Sequence, residues 1–251
     1  MQTNAVIETM MGHRSIRKYT DEAIDSDILN TIIRAGQQAA FAYQVYSVII
    51  SRQKDKNPFK APVLLTICVD LYKFERIMEK RGWKMATNDL TALMFGIEDA
   101  SYMAQNMVVA AESFGLGTCY LGHPIMSADK LAKTYELPNR VYPIVQITMG
   151  FPAENPTPRP RYPINFAVFE EKYPVLTETD ISDAIKVMDE GYLAQDYYKK
   201  NSIMIDPSSV KEEDHTFDNY SWTEHISRKL GLWMDSVDEQ KEILEKRGFK
   251  V

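Results

Sequence analysis

Apolar residues recur along the first 150 positions with helical and strand-like spacing in turn. Helical spacing predicts helices over residues 4–11, 26–40, 88–113 and 127–136. Apolar runs predict strands over residues 46–50, 62–69, 118–122 and 141–150. The run PVLLTICV at 62–69 is almost continuously apolar and rich in β-branched residues, which is typical of a strand buried on both faces.

The helix predicted over residues 88–113 is apolar nearly all round. Its large apolar residues are interspersed with glycine and alanine, a pattern typical of a central helix that a neighbour approaches closely. Gly115 and Gly117 are expected to end this helix and lead into the strand over 118–122.

The pattern changes after residue 150. Five of the twelve prolines fall between Pro152 and Pro163, which predicts an extended arm. A helix over residues 181–200, a polar and acidic linker over 206–219 and helical segments over 221–247 are expected to follow. Alternating strands and helices, then helices alone, predict an α+β or α/β fold with a helical C-terminal extension.

Composition and charge narrow the classes of function. The 251 residues are 45% hydrophobic and 25% charged, which excludes disorder, collagen and coiled coil. A net charge of −6 argues against general binding of nucleic acid or anionic membrane, so any anion site must be local. The N-terminus lacks a leader pattern and no apolar run is long enough to span a membrane, so a cytoplasmic location is expected.

Cysteine and histidine offer little for metal or nucleophilic chemistry. Cys68 and Cys119 lie in apolar runs, which predicts buried thiols in a reducing compartment and no zinc site. The four histidines lack metal-ligand spacing. No nucleophile or acid–base pair stands out, which fits a bound cofactor that carries the chemistry itself.

Two basic clusters are candidates for a local anion site. In the first, His13-Arg14-Ser15-Ile16-Arg17-Lys18, guanidinium groups and a hydroxyl can converge on a phosphate. The alternative is a basic turn paired with Asp21, Glu22 or another surface carboxylate. In the second, Arg159 and Arg161 point the same way if the arm is extended, and the alternative is a solvated arm. Together the clusters predict one phosphate held from two regions of the chain.

The segment Gly115–His123 is a third candidate. It contains GLGTCYLGH, and Gly122 would let a planar ligand approach backbone N–H groups without a Cβ in the way. The alternative is that these glycines only form the turn that connects a helix to a strand.

Five segments, in order, resemble the nitroreductase family of FMN-dependent NAD(P)H oxidoreductases. They are HRSIRKYTDEAI, QVYSVII, APVLLTICVDLYKF, AESFGLGTCYLG and GFPAENPTPRPRYP. The similarity is greatest to the oxygen-insensitive NADPH nitroreductase and flavin reductase subgroup. It implies an α+β homodimer with a mostly antiparallel central sheet flanked by helices, an FMN-binding core over residues 1–165 and a helical extension over 166–251.

The resemblance also implies roles for particular residues. His13, Arg14 and Ser15 would contact the FMN phosphate and ribityl chain, and Arg159 and Arg161 would complete the phosphate site. Arg17 would stabilise negative charge on the reduced flavin electrostatically, and no side chain would act as a catalytic acid. Gln44 matches a glutamine of the family. The backbone of Tyr120, Leu121, Gly122 and His123 would face the reacting edge of the ring.

The chain departs from the family at Ala39–Ala42, where polar flavin contacts are usual. The implied activity is transfer of a hydride from NADPH or NADH to FMN, then to a nitroaromatic, quinone or flavin acceptor in a ping-pong order. Three alternatives remain open: a specialised member with a dedicated substrate, a non-enzymatic FMN storage or sensing module, and a binding protein that has lost the cofactor. The acidic linker over 206–219 corresponds to a segment that helps to bind the nicotinamide in the subgroup, or it is disordered.

Overall fold

The structure, a computed structural model, describes residues 2–232 and 237–251. The strands are β1 (Tyr46–Ser51), β2 (Val63–Asp70), β3 (Gly117–Leu121) and β4 (Val141–Gly150). The helices up to the end of β4 are α1 (Ala5–Met11), α2 (Ser26–Gln37), α3 (Tyr72–Lys80), α4 (Asp89–Ser113) and α5 (Ala128–Thr134). Those that follow are α6 (Ile164–Ala167), α7 (Glu178–Leu193), α8 (Tyr197–Asn201), α9 (Trp222–Leu232) and α10 (Val237–Lys246). Short 3₁₀ helices cover Lys54–Lys56, Pro58–Lys60 and His123–Ile125.

The four strands form one antiparallel sheet in the order β1-β2-β4-β3. Every residue of β2 is buried, as its continuous apolar run predicts, because β1 and β4 flank it and helices cover it. The α+β class and the mostly antiparallel sheet are confirmed.

The long helix α4 forms the centre of the core. Asn88 caps its first turn through a side-chain bond to Thr91 N, and Gly115 follows it at φ 75°, a conformation that suits glycine. One face of α4 is buried against α2 and the sheet. The central position of this helix is confirmed, but Leu90 and Met94 are 57% and 59% exposed, so one side of α4 is uncovered in the single chain.

Several element boundaries differ from the predictions. The helix predicted over residues 26–40 ends at Gln37. The helix predicted over 181–200 is two helices, because Asp196 adopts a left-handed conformation with φ 49° between α7 and α8. Helix α3 was not predicted: it is short and mostly polar, and none of its nine residues is buried.

The chain divides into two compact units. The first runs to Pro156 and also includes α10 and the last residues of the chain. Arg140 attaches those last residues to the core of this unit. It makes a bidentate ion pair with Asp89 at 2.7 and 2.8 Å and donates to Gly248 O at 2.9 Å. Lys250 N donates to the same Asp89 at 2.6 Å.

The second unit begins at Thr157 and includes α7, α8 and α9. Arg228 of α9 is 4% exposed and binds the acidic linker over residues 206–219. Its guanidinium donates to both carboxylate oxygens of Glu213 at 2.6 and 2.7 Å and to Glu224 at 2.7 Å. This arginine lowers the pKa of Glu213 to about 2. The linker is therefore fixed to α9 by ion pairs.

Cys68 and Cys119 are both free and buried, as the sequence predicts. Burial raises the pKa of Cys68 to about 12, so its thiol stays protonated at neutral pH. Within the described ranges, no helix is both long and apolar enough to cross a bilayer.

Candidate functional site

The basic segment His13–Lys18 lies along β3. Ile16 N donates to Thr118 O at 2.8 Å, and Ser15 forms a parallel bridge with Thr118. Gly117 permits this approach, because a Cβ there would lie 2.6 Å from Cγ1 of Ile16. The structure thus joins the basic segment to the strand that carries Tyr120 and Leu121.

Carboxylates and an amide fix the shape of the basic segment. His13 Nδ1 lies 2.6 Å from Glu112 Oε1. Oε1 of Glu154 accepts from the backbone N–H of Arg17 at 2.5 Å and of Lys18 at 3.1 Å. The side chain of Arg14 donates to Gly12 O at 2.9 Å and to the amide oxygen of Asn155.

The guanidinium charges of the segment are not neutralised by ion pairs. Among the residues that the structure describes, no carboxylate oxygen lies within 4.0 Å of the guanidinium of Arg14 or Arg17. Asp21, the partner in the alternative interpretation, contacts Lys54 instead. Two arginines without a paired carboxylate favour an anionic ligand.

A peptide strip with open space beside it follows β3. Tyr120 and Leu121 end the strand, and Gly122 and His123 are exposed at the start of a 3₁₀ helix. A Cβ on Gly122 would meet nothing within 4 Å. Burial raises the pKa of Tyr120 to about 12, so its phenol stays neutral near this strip.

An apolar groove borders the same strip. Its volume is about 640 Å³, and its lining includes Ile97, Tyr102, Tyr120, Ile125 and Ile144. Tyr120 donates to Gln105 Oε1 at 3.3 Å at its wall. A groove of this size and chemistry suits a planar aromatic molecule.

The structure does not bring Gln44 to the basic segment. Gln44 precedes β1 at one edge of the sheet, whereas the basic segment lies along β3 at the other. Its backbone is left-handed with φ 56°. Buried Asp99 holds the backbone on both sides of Gln44 by accepting from the N–H groups of Ala42, Tyr43 and Val45 at 2.6, 3.0 and 3.2 Å.

Arg159 and Arg161 belong to the second unit, where they make different contacts. The guanidinium of Arg159 lies 3.9 Å from the ring centre of Tyr197 and donates to Gln195 Oε1 at 2.6 Å. Arg161 is exposed and donates to the carbonyls of Arg159 and Pro160 at 2.9 and 3.0 Å. Their shared role at a phosphate stays a prediction.

Sequence reasoning missed three acidic side chains that shape this region of the fold: Glu112 and Glu154, which hold the basic segment, and Asp99, which holds the loop before β1. Asp99 and Glu112 interrupt the apolar helix α4, and an acidic residue at 1% exposure, as Asp99 is, needs several hydrogen bonds. That interruption was the available signal. Glu154 lies among the prolines of the arm and carries no local signal.

The residues of the first unit fit FMN. The basic segment carries the imidazole of His13, the hydroxyl of Ser15 and the guanidinium groups of two arginines. These groups can hydrogen-bond a phosphate and a polyol chain. The exposed peptide at Gly122 offers backbone hydrogen-bonding groups to the edge of a planar ring. The groove lined by Tyr120 offers apolar side chains to the face of such a ring.

Comparison with known proteins gives consistent matches. Residues 48–151 match the model of the Nitroreductase family. The chain is similar to an FMN reductase (NADPH) of Bacillus subtilis, with 30% identity over 215 residues that cover 79% of this chain and 85% of that protein.

Solved structures show the same similarity along almost the whole chain. The structure of NfrA2 from B. megaterium aligns with a TM-score of 0.82 and 28% identity over 99% of each chain. An NADPH:FMN oxidoreductase from Vibrio harveyi, complexed with NAD+, aligns with a TM-score of 0.76 and 27% identity over 98% of this chain and 99% of that one.

Proposed function

Because the chain belongs to the nitroreductase family, we propose that it is an FMN-dependent NAD(P)H oxidoreductase. The observation that carries the proposal is the contact between the basic segment and β3. It joins two unneutralised arginines to an open peptide strip and an apolar groove, and relatives named as FMN reductases and nitroreductases support the same activity.

The residues of the first unit divide the work of binding. His13, Arg14 and Ser15 bind the phosphate and ribityl chain, and Arg159 and Arg161 complete the phosphate site, as the family resemblance implies. Arg17 supplies positive charge that favours the reduced cofactor. The Tyr120–His123 strip binds the edge of the ring through peptide groups. FMN, when bound, supplies hydride acceptance from NADPH or NADH and hydride donation to the acceptor through its N5 atom.

The groove beside Tyr120 supports a ping-pong order. A single apolar groove next to the strip would give the nicotinamide and the acceptor the same approach to the bound ring. The nicotinamide therefore leaves before a nitroaromatic, quinone or flavin acceptor enters. We propose that no protein acid acts at the reacting edge, and Tyr120 stays neutral because burial raises its pKa to about 12.

The exposed face of α4 favours a homodimer. Leu90, Met94 and Ile97 are 57%, 59% and 39% exposed along one helix, and apolar side chains grouped in this way mark interaction surfaces. We propose that a second copy covers this face and that the dimer acts in the cytoplasm. Sedimentation should then give twice the 28.8 kDa mass of the chain.

The loop over residues 39–44 favours a dedicated substrate as a second candidate. Phe41 and Tyr43 are 54% and 47% exposed where the family commonly has polar residues, and Asp99 fixes the backbone beneath them. Exposed aromatic rings on a fixed loop suit a particular aromatic acceptor.

Steady-state kinetics test the proposed activity. Oxidation of NADPH or NADH should depend on an added quinone, nitroaromatic or flavin, and varying both substrates should give parallel double-reciprocal lines. Intersecting lines would contradict the ping-pong order. Absence of turnover by the FMN-loaded protein would favour the storage or sensing module.

A further inference from the structure

The His13 ring is held by a carboxylate at the end of α4. Its Nδ1 lies 2.6 Å from Oε1 of Glu112, and the two side chains are 27% and 13% exposed. The same oxygen accepts the hydroxyl of Thr118 at 3.1 Å, and Thr118 is fully buried in β3. Glu112 therefore joins α4, the basic segment and β3 at one point.

The position of Glu112 is unfavourable for a carboxylate in two respects. It lies in the last turn of α4, where the helix end carries partial negative charge. It is also next to a segment proposed to bind a phosphate, so like-charge repulsion opposes that ligand. A carboxylate at this unfavourable position fits a role that its hydrogen bonds to His13 and Thr118 perform.

The protonation of the His13 ring follows from its partner. An ionised carboxylate only accepts hydrogen bonds, so the ring nitrogen that contacts it carries a proton. With Nδ1–H directed at Glu112, Nε2 is the ring atom that remains for a ligand.

We propose that Glu112 is a positioning residue for FMN binding. It fixes the proton on Nδ1 of His13 and the orientation of the ring, and thereby commits Nε2 to the phosphate or ribityl chain. This inference rests on the proposed function, because it concerns the same FMN site.

The variant E112Q separates positioning from charge. Glutamine keeps the size of the side chain, but its amide both donates and accepts, so it no longer dictates which ring nitrogen carries the proton. If charge alone mattered, removing a carboxylate would strengthen the binding of a phosphate. A positioning role predicts the opposite change in affinity. FMN should bind E112Q about tenfold more weakly than the parent, which corresponds to the loss of one hydrogen bond to a charged group.

The measurement is quenching of FMN fluorescence by the apoprotein, with two controls. E8Q removes another carboxylate, which lines a cleft together with Arg14 and Glu112 but bonds to Thr3, so its FMN affinity should stay within about twofold of the parent. In an H13A background, E112Q should have no further effect, because the group it positions is gone.

A spectroscopic readout needs no cofactor. Long-range ¹H–¹⁵N correlation of the apoprotein should show Nδ1 of His13 protonated in the parent and a shift toward the Nε2–H tautomer in E112Q. FMN binding to E112Q as tight as to the parent, or an equal loss in the H13A background, would overturn the positioning role alone. A parent protein that binds no FMN would overturn both this inference and the proposed function.

Discussion

At the scale of single residues, the account gives the two arginines Arg17 and Arg161 different tasks. Arg17 lies on the segment held by Glu154 beside β3, whereas Arg161 is an exposed side chain of the arm. A charge beside the ring changes the energy of the reduced cofactor, and a charge at the phosphate changes retention of either redox state.

Substitution of each arginine should therefore affect a different quantity. Arg17→Ala should lower the midpoint potential of bound FMN by about 30–60 mV with little change in its affinity. Arg161→Ala should weaken FMN binding about tenfold and leave the potential nearly unchanged. Redox titration and fluorescence titration measure the two quantities.

Lys18→Ala is the matched control, since Lys18 is an exposed cation next to Arg17 to which no role is given. It should match the parent in both measurements. Potentials and affinities that are equal in the parent and both arginine variants would refute the assignment.

At the scale of elements, two glycines of the β3 region have opposite roles. Gly117 lets Ile16 pack against the strand, and a Cβ there would lie within 2.9 Å of three Ile16 atoms. Gly122 faces open space. The first glycine serves packing and the second serves access to the peptide strip.

Two alanine substitutions separate these roles. Gly117→Ala should destabilise the fold by about 1–3 kcal/mol through overpacking. Gly122→Ala should have the same denaturant midpoint of unfolding as the parent. It should bind FMN more weakly, because its Cβ occupies the space beside the strip. Chemical denaturation and FMN titration test both, and the reverse assignment of effects would contradict the account.

The elements also show what the sequence predicts and what it does not. The strand β2 and the helix α4 were predicted because their apolar runs are long and strongly patterned. The break between α7 and α8 at Asp196 was missed, because a residue other than glycine gives little indication in the sequence that its backbone is left-handed. The exposure of Leu90 and Met94 on α4 was not predicted, since an apolar pattern does not distinguish burial within a chain from burial between chains.

The candidate site was predictable only in part. The basic segment and the GLGTCYLGH run were visible as local motifs. Their contact through Ser15 and Thr118 is a pairing across about 100 residues of chain, and only the fold can create it. Glu112, Glu154 and Asp99 were missed for the same reason, because their partners are distant in sequence.

At the scale of the whole molecule, Arg140 and Asp89 hold the C-terminal residues against the core of the first unit. Their side chains are 15% and 11% exposed, and Arg140 holds the pKa of Asp89 below its usual value. A carboxyl whose pKa is lowered by folding stabilises the protein above its unfolded pKa, and this stabilisation is lost as the pH falls through the folded pKa.

Asp89→Asn should therefore destabilise the protein by about 3 kcal/mol at neutral pH, because Arg140 loses its charged partner. The difference from the parent should shrink as the pH falls below about 4. Asp21→Asn, which breaks an exposed contact with Lys54, should leave stability unchanged. Unfolding midpoints between about pH 7 and pH 2 test this, and a constant difference across that range would contradict it.

The whole molecule is acidic, with a net charge of −6, and carries its unneutralised arginines next to the open peptide strip. The central claim is that this arrangement holds FMN that a nicotinamide reduces. The most direct measurement is the visible spectrum of the purified protein before and after anaerobic addition of NADPH, and of NADH to a separate sample. The account predicts a two-banded flavin spectrum that bleaches. A yellow protein that stays yellow with both donors, or one that stays colourless after incubation with FMN, would contradict it.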